Sequence, residues 1–118
     1  MKQALVIGVL FAACVGAQAG EEIKPEWNPP ARYDHPFNGA VDVQYLPQPQ
    51  VIIECAKLFK DHKIKDTAAY TQRGCSAVTN PNTCKMFIVD SPYRGATPEA
   101  IKRHEIGHCN GWPANHPD

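Results

Sequence analysis

The stretch His104-Glu105-Ile106-Gly107-His108-Cys109-Asn110-Gly111-Trp112 decides how the rest of the chain is read. A helix turns once every ~3.6 residues, so two imidazoles four apart project from the same side and can grip one metal ion together. Glu105, next to the first of them, is placed to handle the proton of a water. The local grammar agrees with a helix here. Thr97 suits an N-cap, Pro98 the first helical position and Glu99 the second. Gly111 suits the residue just past the end, and Pro113 discourages continuation. The spacing predicts a helix that opens at Pro98 and carries Ile101, His104, Glu105 and His108 on its way to Gly111.

Working upstream, residues 74–79 and 85–90 read as two strands joined by the turn formers Asn80-Pro81-Asn82. Met86-Phe87-Ile88-Val89 is the most strand-like run in the chain, suited either to a central core strand or to an edge along which a substrate lies. Val51, Ile52, Cys55, Leu58 and Phe59 form one apolar stripe, opposite Glu54, Lys57, Lys60 and Asp61. That pattern is an amphipathic helix, with Pro49 near its start. Residues 40–45 alternate apolar and polar, which suits a short half-buried strand. Before them, to about Asn38, the chain is dense in proline, which suits either an extended segment wrapped on the surface or partial disorder, with Trp27, Tyr33 and Phe37 as the anchors available.

At the front, Met1-Lys2 is followed by an apolar run and by Ala17-Gln18-Ala19, the layout of a secretory signal cleaved after Ala19. The run is too short to span a bilayer. A rival reading makes Cys14 a lipidated N-terminus, because Phe11-Ala12-Ala13-Cys14 loosely resembles a lipobox. Residues 1–19 are thus expected to be a signal peptide, 20–39 a proline-rich N-terminal segment and 40–118 a metal-binding domain. Cleavage removes Lys2 from an otherwise balanced set of 12 basic and 12 acidic residues, leaving a charge near −1. No basic patch is interleaved with aromatics, so nucleic acid and anionic membrane surfaces are not expected partners.

About a hundred residues make one domain with a thin core that needs staples. Cys55, Cys75, Cys84 and Cys109 are even in number in an exported chain, which reads as two disulfides with three possible connectivities. Cys75 and Cys84 flank the hairpin turn, so the expected pairing is Cys75 with Cys84 and Cys55 with Cys109. The expected fold is a small α+β domain: a short antiparallel sheet, an amphipathic helix and the C-terminal His-bearing helix.

With its motif, the chain resembles the zincin metallopeptidases, defined by an active-site helix bearing H-E-x-x-H. The resemblance covers roughly residues 84–116, and residues 104–108 match the motif. It implies that His104 and His108 bind Zn²⁺, that Glu105 is the general base, and that a strand preceding the helix, here residues 85–90, lies along a peptide or protein substrate. Catalytic zinc commonly has a third protein ligand and an open position. Thermolysin-like zincins take a downstream Glu, and none follows His108. Metzincins use H-E-x-x-H-x-x-G-x-x-H. Gly111 matches their glycine, but their third histidine falls on Ala114. A wider turn through Trp112-Pro113-Ala114-Asn115 makes His116 the first choice, ahead of Asp118 and Cys109. Lys102 and Asn110 also depart from the usual zincin helix. Tyr93 or Arg103 could add to oxyanion stabilisation beside the metal.

The reading that follows is an exported, monomeric zinc-dependent peptidase or related hydrolase, secreted or periplasmic. Two other classes stay open: a non-catalytic zinc-binding interaction module, and a cysteine-stapled binding protein with no metal. His35 and His62 lack ligand spacing and read as surface residues, and Trp112 as a packing anchor under the turn.

Overall fold

Alternation along the hairpin strands fixes the architecture. In the computed structural model, which describes residues 27–65 and 68–118, the element order is β1 (Ala40–Leu46), α1 (Gln48–Asp61), a 3₁₀ turn (Ala69–Thr71), β2 (Gly74–Asn80), β3 (Thr83–Val89) and α2 (Pro98–Cys109). The expected signal peptide, its cleavage site, Cys14 and residues 20–26 lie outside the described residues. No helix among the described residues is long and apolar enough to cross a membrane.

The three strands form one sheet in the order β1-β3-β2. β2 and β3 are antiparallel, joined across Pro81 and Asn82, with Asn80 Oδ1 accepting from the Asn82 backbone N–H at 3.0 Å. β1 runs parallel to β3, Val43 opposite Met86. The sheet is therefore mixed rather than antiparallel. A tight turn sets the relative direction of β2 and β3, but no local signal says which of them docks against β1. β3 takes the inner place, and parallel pairing with β1 is the consequence. With neighbours on both edges and a helix on each face, Met86, Phe87, Ile88 and Val89 are all buried, which settles that run as a central core strand.

Both expected disulfides are corrected. Successive side chains of a strand point to opposite faces. Cys75 stands opposite Phe87, and Cys84 opposite Val78, so the two cysteines project from opposite faces of the hairpin. Neither can reach the other. Each instead meets the helix on its own side: Cys75 bonds Cys55 of α1, and Cys84 bonds Cys109 of α2. The α1 stripe is as expected, with Val51, Cys55 and Leu58 buried and Pro49 in the first turn. These three join the β3 residues and Ile101 of α2 in a single core.

Candidate metal centre

α2 begins where its capping residues predict. The Thr97 hydroxyl accepts the Ala100 backbone N–H at 3.1 Å, and Pro98 opens the helix. It ends with Gly111 at φ +104°, a left-handed conformation that favours glycine. Hydrogen bonds from Gly111 N to His108 O and from Trp112 N to Gly107 O close that end, both at 3.0 Å. The turn folds the tail back under the helix. There Trp112 Nε1 donates to Pro117 O at 2.8 Å, and the His116 N–H donates to Pro113 O at 2.9 Å. His116 itself sits at φ +57°. Two residues longer than the metzincin spacing, the tail still returns its histidine to the helix.

As a result His104, His108 and His116 converge. Their Nε2 atoms are 3.1 to 3.2 Å apart in all three pairs. The other ring nitrogens fix the tautomers of the two helical rings. His104 Nδ1 donates to Trp27 O at 2.6 Å, and His108 Nδ1 donates to Trp112 O at 2.7 Å. A neutral imidazole carries one N–H. Both helical rings have spent theirs on a carbonyl, so their Nε2 lone pairs face each other at a distance where two acceptors repel. An electrophile placed among the three nitrogens relieves this. Imidazole nitrogens bound tetrahedrally at ~2.0–2.1 Å stand about 3.3 Å apart, close to what is seen here. The triad could hold a metal ion, and its two helical members are arranged in the manner of metal-bound histidines, each with its outer nitrogen on a carbonyl.

Each helical histidine is held twice by one tryptophan, through a carbonyl and through a ring. Trp27 stacks on His104 with centroids 3.8 Å apart, and Trp112 on His108 at 4.8 Å. Burial lowers the pKa of all three histidines, that of His104 to about 3, so the rings stay neutral and keep their lone pairs. Trp112 is thus the packing anchor expected of it, at 3 % exposure, and a hydrogen-bond partner of a candidate ligand as well.

Glu105 is buried and lines the same cavity of about 420 Å³ as the triad. The Ser76 hydroxyl on β2 donates to Glu105 Oε1 at 2.7 Å and lies 3.2 Å from the Glu105 carbonyl. Burial pushes the Glu105 carboxyl up to about 7, with the Ser76 bond acting in the opposite direction. A carboxyl that titrates near neutrality is suited to exchanging protons with a water.

The strand beside the site is not the one expected. Residues 85–90 belong mostly to β3, whose edges are both taken by β1 and β2. β2 is one of the two edge strands, and its residues Gly74 to Val78 line the cavity. The bond from Val89 N to Arg73 O sets the phase of the ladder. Cys75 and Ala77 therefore turn their backbone groups toward β3, while Ser76 and Val78 turn theirs outward. Phe59, Ile64 and Ala68 add apolar wall to the same space.

Other candidates fall away from the triad. Cys109 is in its disulfide, and Asp118 offers its backbone carbonyl to Arg32 at 2.7 Å. Arg103 is engaged with Asp34, Nε to Oδ1 at 3.0 Å, and holds that carboxyl below its ordinary pKa. Neither Arg103 nor Tyr93 lines the cavity. His35 and His62 are exposed, as expected. Sequence reasoning missed Trp27 and Ser76. Neither carries a spacing signal, because Trp27 is 77 residues from His104 and Ser76 is 29 from Glu105. The chain matches no protein-family model, no curated protein and no solved structure.

Proposed function

We propose that the protein is a zinc-dependent peptidase or related hydrolase that works outside the cytoplasm. The observation that carries this is the convergence of three imidazole nitrogens, two of them on α2, in the cavity that the buried Glu105 of the same helix also lines. Three neutral nitrogen ligands with an open side suit catalytic zinc. Zinc held there supplies Lewis acidity toward a water and a carbonyl. The chain's own residues do the rest. Trp27 and Trp112 fix the ring planes, Ser76 holds the Glu105 carboxyl, and Glu105 takes a proton from the attacking water and returns it to the leaving amine. Outward-facing groups of Ser76 and Val78 on β2 receive an extended peptide by strand addition. Two disulfides in so small a chain, with the expected signal at residues 1–19, support export to an oxidising compartment.

A second reading rests on Glu105. Its carboxyl is buried and already bonded to Ser76, an arrangement that also suits a non-catalytic module whose metal fixes the C-terminal turn. One set of variants separates the two. Purified full chain is expected to carry about one zinc, and His116→Ala to weaken zinc binding more than His62→Ala. Glu105→Gln is expected to keep zinc and to lose cleavage of a mixed peptide library entirely. Less than a tenth of an equivalent of zinc ends both metal readings. Zinc without any library cleavage by the wild type favours the module.

A further inference from the structure

The segment that begins at Trp27 lies along α2 and the tail, gripping the centre at several points. Trp27 covers His104 by ring and carbonyl. Pro29 fills the notch over Gly107, where a Cβ would stand only 2.5 Å from Pro29 Cγ and 2.7 Å from Pro29 Cβ. One turn away, Asp34 receives the Arg103 guanidinium. At the helix end the Asn110 amide donates to Tyr33 O at 2.9 Å and also to His35 O. Arg32 reaches the Asp118 carbonyl, two residues past His116. A single stretch of chain thus touches the helix that carries two of the converging histidines and the tail that carries the third.

We propose that residues 27–35 are the outer shell and clamp of the metal centre, with Trp27 a positioning residue for His104. This rests on reading the triad as a metal site. Metal bound at the three Nε2 atoms and the segment docked on α2 favour the same arrangement of His104 and the tail. Each therefore strengthens the other, and by linkage the strengthening is reciprocal.

The test uses the full chain and zinc. Gly107→Ala puts a methyl where Pro29 sits, and within 3.1 Å of the Trp112 ring, while alanine is the better helix former. A second variant, Asp34→Asn with Asn110→Ala, loosens the clamp at two points that touch none of the three histidines. Zinc affinity by chelator competition is expected to fall about ten- to hundred-fold in each, the range seen when an outer-shell partner is lost. In the wild type, chelation is expected to speed amide exchange across residues 27–35 by a comparable factor. Wild-type affinity in both variants, or exchange indifferent to zinc, overturns the clamp and leaves the triad reading standing. A wild type that takes up no zinc removes the triad reading and the clamp with it. If Gly107→Ala loses its helical signal, the decision passes to the double variant.

Discussion

At the scale of single residues, the site combines a carboxyl and imidazoles that burial pushes in opposite directions. Glu105 is raised from about 4.5 to about 7, and His104 is lowered from 6.5 to about 3. In chelator-treated protein these shifts become opposing slopes of stability with pH. Between about pH 4.5 and 7 folded Glu105 binds a proton that the unfolded chain does not, so its contribution falls as pH rises. Between about pH 6.5 and 3 unfolded His104 binds a proton that the folded ring refuses, so its contribution falls as pH drops. Above pH 7 the whole cost of an ionised buried Glu105 is present, on the order of 3 kcal/mol. Glu105→Gln is therefore expected to be more stable than wild type in urea titrations at pH 8, with the gap closing near pH 4.5. A gap that does not change with pH would show that Glu105 titrates normally. His104, Glu105 and His108 were legible from spacing, because helical periodicity is a local rule. His116 was legible from chain reach past Gly111. Trp27 and Ser76 were not, since each is brought to the site by tertiary packing.

Among the elements, α1 was legible from its apolar stripe and Pro49, and α2 from its cap, its first-turn residues and its terminating Gly111. The hairpin was legible for the same reason, through Asn80-Pro81-Asn82 and the flanking apolar runs. What could not be read was the order of strands. β1 alternates as expected, yet alternation does not say whether its neighbour is β2 or β3, and so the sheet's mixed sense and the identity of the cavity edge were hidden. α2 also invites a test that separates the stability of a helix from the geometry of its ligands. The Thr97 cap lies seven positions before His104 and satisfies an otherwise unpaired N–H of the first turn. Thr97→Ala should lower unfolding free energy by about 1 kcal/mol in urea titrations. Zinc affinity of the folded protein should stay within about twofold, because the cap touches neither the triad nor its tryptophans. A large loss of affinity would mean that the first turn of α2 controls the ligand end.

For the molecule as a whole, the disulfides tie one helix to each face of a three-stranded sheet. Predicting their pairing required knowing which way Cys75 and Cys84 point, and that in turn required the hairpin register, which no short-range pattern reveals. The resulting loops are similar, with sequence separations of 20 and 25. Loop closure alone then makes each bridge worth about 3 kcal/mol in the chain-entropy account. Removing either by a paired Cys→Ala substitution should lower stability by comparable amounts, a large fraction of what a domain of this size has to lose. Their effects on the metal centre should differ. Cys109 follows His108 directly and anchors the ligand end of α2 to β3, whereas the Cys55–Cys75 bridge holds α1 against the opposite face of the sheet. Cys84→Ala with Cys109→Ala is accordingly expected to weaken zinc binding by tenfold or more in chelator competition, and Cys55→Ala with Cys75→Ala by much less. Equal losses of zinc affinity would mean that the site senses only global stability, and that the tether beside His108 has no part in holding the triad.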